Sequence, residues 1–281
     1  MLNKNSSNNL KADITAIVLT YNEEKHIERC ILSINQFVKK IIIIDSFSND
    51  KTLGIAKRYN VKVLQNTFIN QSEQFNWALK NISIKTNWIL RLDADEIVEN
   101  NFFKKLNKIA KIEKFNAIET IIEHNFLGKR IKYGDVYPQR QVRLWKKNHG
   151  YFDGKPMDEK IIINKPNIYK SSLKIIDHNL KGLMFWFKKH FKYAKREAQF
   201  YFLLKNKKYI KNNFDKTLLK KIYYYKYPIF IRPIFLFIYR YFIKKGFLDG
   251  VTGLKFNILQ TLFYRLLVDF FIIKKKYKRL I

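Results

Sequence analysis

Asp93-Ala94-Asp95 sets two carboxylates two residues apart, directly after the apolar run Trp88-Ile89-Leu90-Arg91-Leu92. Hard oxygen ligands at that spacing suit Mg²⁺ or Mn²⁺, which take a carboxylate or two and complete their shell with water and phosphate oxygens. An ion held there would neutralise charge growing on a departing diphosphate. Two more acids follow apolar runs in the same way: Glu23 comes after Ile14–Thr20, and Asp45 after Lys40–Ile44. A single acid after a strand is ordinarily a turn or helix cap. Acids after three strands point instead to one shared cleft.

The elements that must position these acids can be read from the pattern around them. Ile14–Thr20 is short, apolar and β-branched, which predicts a strand buried on both faces. Ile27, Cys30, Ile31 and Ile34 then follow at helical spacing. A second strand, Lys40–Asp45, leads into the turn-like Ser46–Asp50. There Ser48 or Asn49 is placed to cap a helix carrying Leu53, Ile55, Ala56 and Tyr59. Val61–Leu64 reads as a third strand, Glu73–Lys80 as a helix and Trp88–Leu92 as a fourth strand. This alternation predicts an α/β fold with a mostly parallel, doubly wound sheet, whose ligands bind beyond the carboxyl ends of the strands. Ala117–Glu123, Val142–Trp145 and Lys160–Ile163 read as strands between loops, suiting antiparallel additions to the sheet edge. Beyond Leu183 the pattern becomes helical. The expected organisation is therefore a catalytic domain over residues 1–180 and a helical, basic, aromatic region over 181–281.

Composition narrows the classes. Of 281 residues, 47% are hydrophobic, enough for a sizeable core. One cysteine, Cys30, excludes an internal disulfide framework and a Cys-based zinc site, and suits a reducing compartment. Residues 1–13 are polar and lack the apolar segment of a signal peptide, so a cytoplasmic protein is expected. The net charge of +32 is uneven: residues 181–281 hold 25 basic and 4 acidic side chains, against 30 and 19 in residues 1–180. Neither GxGxxG nor GxxxxGK[ST] occurs, which removes Rossmann dehydrogenases and P-loop enzymes.

Thr20-Tyr21-Asn22-Glu23-Glu24, Asp45-Ser46-Phe47-Ser48-Asn49-Asp50-Lys51-Thr52 and Trp88–Glu96 resemble the family 2 glycosyltransferases of the GT-A fold. Within that family the chain is most similar to lipopolysaccharide-core β-glucosyltransferases of the WaaE type. Gln74–Leu79, Tyr137–Trp145 and Gly246-Phe247-Leu248-Asp249-Gly250 add to the likeness, which runs from about Ile14 to Lys255. The resemblance implies a nucleotide-sugar donor, probed first as UDP-glucose, and inverting transfer of a hexose to a lipid-linked saccharide such as lipopolysaccharide or lipooligosaccharide core. It implies that Thr20 and Glu23 line the nucleoside pocket, that Asp45 bonds the base, and that Asp93 lies near ribose and diphosphate. Asp95 becomes the principal ligand of Mg²⁺ or Mn²⁺. The general base falls on Glu159, with Asp158 as the alternative. Here the chain reads Met157-Asp158-Glu159, where the family usually shows a Val-His-Glu-like segment.

Four further residues stand beside these. Arg143 offers a planar donor fork to a diphosphate, or pairs with an acid. His178 is a further metal-ligand candidate, or a structural histidine. Gln74 and Asn76 point at a donor sugar, or pack their helix. The tail interleaves lysines with aromatics, as in Tyr223-Tyr224-Tyr225-Lys226-Tyr227, and shows no uncharged apolar run near 18 residues. Such helices suit an anionic membrane surface, so peripheral attachment to the inner face of a bacterial plasma membrane is expected. Single-stranded nucleic acid would explain the tail and leave the strand-end acids unexplained, so no nucleic-acid partner is expected. A nucleotidyltransferase on a similar sheet would need a Gly-rich basic loop where Thr20–Glu24 stands.

Overall fold

β1 (Ala12–Thr20) is buried along both faces, which is why its sequence runs apolar without alternation. Ile14, Ala16 and Val18 enter one core with Ile27, Cys30, Ile31 and Ile34 of α1 (Ile27–Ile34). Ile17, between them, enters a second core with Phe75, Ala78 and Trp145. β2 (Val38–Asp45) divides in the same way, Ile41 and Ile43 against Ile42 and Ile44. Helices therefore cover the sheet on both sides: the first core also takes Ala56 of α2 (Thr52–Ala56), and the second takes α3 (Gln71–Asn81), which begins after the cap residue Asn70. The structure is a computed structural model that describes residues 11–110, 114–155, 157–212 and 215–277.

The other strands are β3 (Lys62–Gln65), β4 (Trp88–Asp93), β5 (Glu96–Val98), β6 (Ala117–Phe126), β7 (Lys129–Arg130), β8 (Gln139–Lys146), β9 (Gly150–Phe152), β10 (Ile161–Ile163) and β11 (Ile168–His178). α4 (Phe102–Ala110) lies between β5 and β6 in the chain. The strand order is β3-β2-β1-β4-β8-β6-β11-β5. β3, β2, β1 and β4 are mutually parallel, whereas β8 joins β4 and β6 antiparallel and β11 joins β5 antiparallel. The parallel half and the antiparallel edge match the pattern read from the sequence, except that Lys160–Ile163 supplies β10, which pairs with β9 in a separate two-stranded sheet. Two details differ. Helix α2 is capped by neither Ser48 nor Asn49; Asp50 Oδ1 accepts from Thr52 N at 2.9 Å, while Ser48 Oγ accepts from Asn22 N. β11, eleven residues long, was not expected, because Lys170, Ser172 and Lys174 alternate with a buried Ser171 that dilutes the apolar signal.

Contacts divide the described chain into two compact units. The first runs to Glu123 and adds Gln139–Lys155 and Glu159–Leu180. The second contains His124–Pro138, a short piece ending at Asp158, and the chain from Lys181 onward. It is built on α5 (Gly182–Leu203), α6 (Lys207–Asn212), α7 (Lys216–Lys226), α8 (Ile231–Ile238), α9 (Gly250–Asn257) and α10 (Tyr264–Tyr277). Ala194 and Ala198 of α5 let α10 approach closely through Tyr264, Val268 and Ile272. Wide helical turns at Tyr239–Ile243 and Ile258–Phe263 join the later helices. Gly246–Tyr277 is thereby one helical run, long and apolar enough by length and composition to cross a membrane, with mean hydropathy 1.5 and 39% of its most apolar stretch buried. Counting uncharged residues misses this run, because it contains Lys255, Arg265 and Asp269.

Candidate functional site

The parallel register brings the acidic strand ends side by side: Thr20 lies opposite Asp45, and Leu19 opposite Asp93. Adjacent strands run about 4.8 Å apart, so β2, β1 and β4 deliver their last residues to one edge. Asp45 is fully buried there. Its carboxylate accepts from Thr20 Oγ1 (3.0 Å), Ser48 N (2.8 Å) and Gln65 Nε2 (3.2 Å), tying together the ends of β1, β2 and β3. Asn22 N donates to Ser48 Oγ (2.8 Å), and Glu23 N to Thr52 Oγ1 (2.7 Å). The two turns carrying Thr20–Glu24 and Asp45–Thr52 are thus knitted into one surface. Tyr21 and Phe47 stand out from it, each more than half exposed.

At the end of β4, Asp93 accepts from Arg91 Nη2 at 3.1 and 3.2 Å and from Gln71 Nε2 at 3.1 Å. Its backbone N–H donates to Glu96 Oε2 at 2.9 Å. Glu96 is buried and pairs with Arg143 Nη2 at 2.5 Å, while Arg143 Nη1 lies 3.9 Å from Asp93. Burial pushes the Glu96 carboxyl above the usual carboxylate range, against the opposing pull of the Arg143 guanidinium at ion-pair distance. Nε and Nη1 of Arg143 and Nε of Arg91 are buried without a hydrogen-bond partner. Arg143 thus has an acid partner, Glu96, and two donors left over.

Asp95 is held through its main chain. Its carbonyl accepts from His178 N (3.1 Å) and Arg29 Nη2 (3.1 Å), and its Oδ2 accepts from Asn179 Nδ2 (3.1 Å). The antiparallel pairing of β11 with β5, Asp177 opposite Glu96, is what carries His178 to this place. The His178 carbonyl accepts from Arg29 Nη2, and its Nδ1 lies 3.4 Å from Arg29 Nη1. Burial and the Arg29 charge lower the His178 pKa. Glu23 sits nearby on a fixed ring: His26 Nδ1 donates to Glu23 Oε2 at 2.5 Å, and His26 Nε2 accepts from Leu180 N at 2.7 Å.

The remaining sequence candidates fall as follows. Glu159 is half-buried in the loop between β9 and β10. Asp158, beside it, is exposed, has φ +56°, and pairs with Lys221 Nζ at 2.5 Å. Gln74 bonds Asn66 and Ser46, and Asn76 bonds both backbone groups of Phe152, so both side chains fasten α3 to its surroundings. Cys30 is fully buried in the first core. Sequence reasoning assigned no role to Arg29, His26, Arg91, Gln71 or Glu96. Glu96 was visible as the third acid of Asp93-Ala94-Asp95-Glu96, and Arg91 and His26 lie within three residues of Asp93 and Glu23, whereas Arg29 and Gln71 are distant in sequence from what they touch.

Among the described residues, no group of three or more His, Cys, Asp or Glu side chains gathers as a ready cation site. Asp93 and Asp95 nevertheless fit Mg²⁺ or Mn²⁺, which need only one or two carboxylates when phosphate and water supply the rest. The guanidinium of Arg29 beside His178 makes that ring the least favourable member of the set.

A doubly wound parallel sheet with acids at its carboxyl edge, an antiparallel extension and a helical C-terminal region is a GT-A-like α/β fold. The model of the family described as Glycosyl transferase family 2 matches residues 15–164, more than half of the chain, and the protein belongs to that family. The chain is similar to the SPbeta prophage-derived glycosyltransferase SunS of Bacillus subtilis (strain 168), at 26% identity over 150 residues, 52% of this chain and 35% of that one. It is also similar to an uncharacterized glycosyltransferase of Rickettsia bellii (strain RML369-C), at 37% over 87 residues, 31% and 29% of the two chains. The matches therefore span about a third of the length of these relatives. Among solved structures, glucosyl-3-phosphoglycerate synthase from Mycobacterium tuberculosis, in complex with Mn²⁺, uridine diphosphate and glucosyl-3-phosphoglycerate, aligns with a TM-score of 0.33 at 22% identity, covering 39% of this chain and 43% of that one.

Proposed function

We propose that the protein is an inverting, divalent-metal-dependent glycosyltransferase. It transfers a hexose, glucose from UDP-glucose in the first instance, to a lipid-linked saccharide such as the core of lipopolysaccharide or lipooligosaccharide. The WaaE-type likeness of the motif blocks supports this donor and acceptor. The observation that carries the reading is the register placing Thr20 against Asp45 and Leu19 against Asp93 in a member of family 2.

In this reading Tyr21 and Phe47 offer exposed aromatic faces to the nucleobase, beside the turns that Asp45 and Thr20 hold together. Asp95 and Asp93 hold Mg²⁺ or Mn²⁺, which supplies charge neutralisation at the leaving diphosphate. Arg91 orients the Asp93 carboxylate by gripping both oxygens. A sugar hydroxyl is a poor nucleophile at neutral pH, so a carboxylate must take its proton as the glycosidic bond forms. Glu159 is taken as that base, with Asp158, which pairs with Lys221, as the alternative.

The test is calorimetric titration of wild type and Asp95→Ala with UDP and a panel of UDP-sugars, with and without Mn²⁺. Metal-dependent UDP binding that Asp95→Ala abolishes is the expected result. Binding of equal strength with chelator present overturns the metal assignment. A product with retained anomeric configuration overturns the single displacement.

A further inference from the structure

Helix α8 turns the wrong face to water. Ile231, Ile234, Phe235, Ile238 and Phe242 recur at the three- and four-residue spacing of one helical stripe, and every one of them is exposed, from 42% at Ile238 to 57% at Phe235 and Phe242. The charged residue of the helix, Arg232, points the other way. It is buried, and its Nε donates to Asp269 Oδ1 at 3.0 Å while Phe230 N donates to Oδ2 at 2.9 Å. The outward stripe continues past the turn at Lys244-Lys245, through Phe247, Leu248 and Val251, exposed by 45, 51 and 70%. An apolar surface of this extent marks an interaction site rather than an ordinary solvated face.

The charges around it state the partner. Lys226, Lys244, Lys245 and Lys255 are exposed at the ends of these segments. The four acids from Lys181 onward are all taken up within the second unit. Glu197 pairs with Lys221 and Asp269 with Arg232, both acids fully buried. Asp249, also buried, accepts from Lys132 N and Tyr133 N, and Asp215 accepts from Leu218 N at the start of α7. What this region shows to solvent is therefore apolar rings and chains flanked by ammonium groups. That is complementary to a surface with an anionic rim and an apolar interior.

We infer that the stripe from Ile231 to Val251 seats the protein in the headgroup layer of an anionic bilayer, with α8 lying in the plane of the interface. The later half of the long Gly246–Tyr277 run does not cross the bilayer, since Tyr264, Val268, Asp269 and Ile272 are buried and the first two pack with α5. This seating is independent of sugar transfer: vesicle binding needs no donor, and its failure leaves the calorimetric test of the transferase untouched.

The experiment is flotation of the full chain with phosphatidylcholine vesicles, with and without phosphatidylglycerol, for wild type and for Phe235→Ser/Phe242→Ser. The replaced rings are exposed, so the fold should survive, and a circular dichroism melt checks that it does. Expected is binding that requires phosphatidylglycerol, is released by alkaline carbonate, and weakens at least about tenfold in the double variant. Binding unchanged by the double variant overturns the inference, as does resistance to carbonate, which would make the long run a spanning helix. Failure to bind vesicles also overturns it, whether the protein instead captures single-stranded RNA or forms a dimer through the same stripe.

Discussion

Replacing Arg143 by methionine separates two jobs that one side chain could hold, a grip on the donor diphosphate and a partner for Glu96. Both groups of the Arg143–Glu96 pair are nearly inaccessible, with side-chain exposures of 3 and 4% and a separation of 2.5 Å. At an effective dielectric of ~20 their attraction is about 7 kcal/mol, most of it offset by the loss of hydration. Removing one partner of such a pair ordinarily costs ~3–5 kcal/mol, because the survivor stays buried and uncompensated. Arg91 also acts on Glu96 and softens the loss, so Arg143→Met should destabilise by about 3 kcal/mol, the low end of that range. Urea unfolding of Arg143→Met, Glu96→Gln and the double variant measures this directly. A coupling of at least ~2 kcal/mol is expected, with the double variant recovering most of the stability. UDP titration of the same three proteins then assigns the role. Binding restored in the double variant makes Arg143 a scaffold residue, whereas binding still absent makes it a diphosphate ligand. A single variant less than ~1 kcal/mol below wild type, with no coupling, refutes the buried-pair reasoning.

Asp95→Ala should lower turnover by at least about 10²-fold while leaving the urea midpoint nearly unchanged, since the side chain is half-exposed; a loss of activity traced to unfolding would refute it. His190 is stacked on Trp186 and its pKa is pushed down to about 4 by burial, so the folded state resists the proton that the unfolded chain accepts near 6.5. Stability from this residue is therefore complete above pH 6.5, declines as pH falls toward 4 and is flat below. Thermal melts should show a decline between those limits that is shallower in His190→Gln, and identical slopes would refute it. Cys30 is fully buried and its thiol pKa is raised by burial, so a thiol reagent should label native protein only after unfolding. Rapid labelling of the folded chain would contradict that placement.

The sheet was legible because its parallel half obeys one rule. Strands buried on both faces must be apolar throughout, and Ile41-Ile42-Ile43-Ile44 admits no other reading once helices flank it. β11 fails the same rule. At the antiparallel edge Lys170, Ser172 and Lys174 alternate with buried Ser171, Leu173 and Ile175, and a buried serine hides the period. The helical tail was legible as helices but not as a helix with an outward apolar face, since periodicity gives a stripe and not its direction. Only the burial of Arg232 on Asp269 fixes which side of α8 faces in.

The acids of the site were found from sequence because strand ends mark position along the chain, and parallel strands turn position along the chain into proximity. Arg143 was found too, but the partners of the cations were not, for a physical reason. Arg29 reaches Asp95 and His178 from helix α1, across 66 and 149 residues, and Arg143 reaches Glu96 from a strand paired antiparallel to β4. Antiparallel strands and returning edges bring together residues whose spacing depends on loop length, and loop length is not a chemical signal. Yet the acids at this edge could not have been left alone. Asp93 and Glu96 together in a closed site repel one another, and buried carboxylates persist only where paired or hydrogen-bonded. Two buried guanidiniums, Arg91 and Arg143, answer two carboxylates, Asp93 and Glu96. Asp95 differs: its Oδ2 takes a neutral amide from Asn179, and the arginine at hand, Arg29, grips its carbonyl. The two carboxylates proposed for the cation are therefore held differently, Asp93 by a guanidinium and Asp95 by an amide.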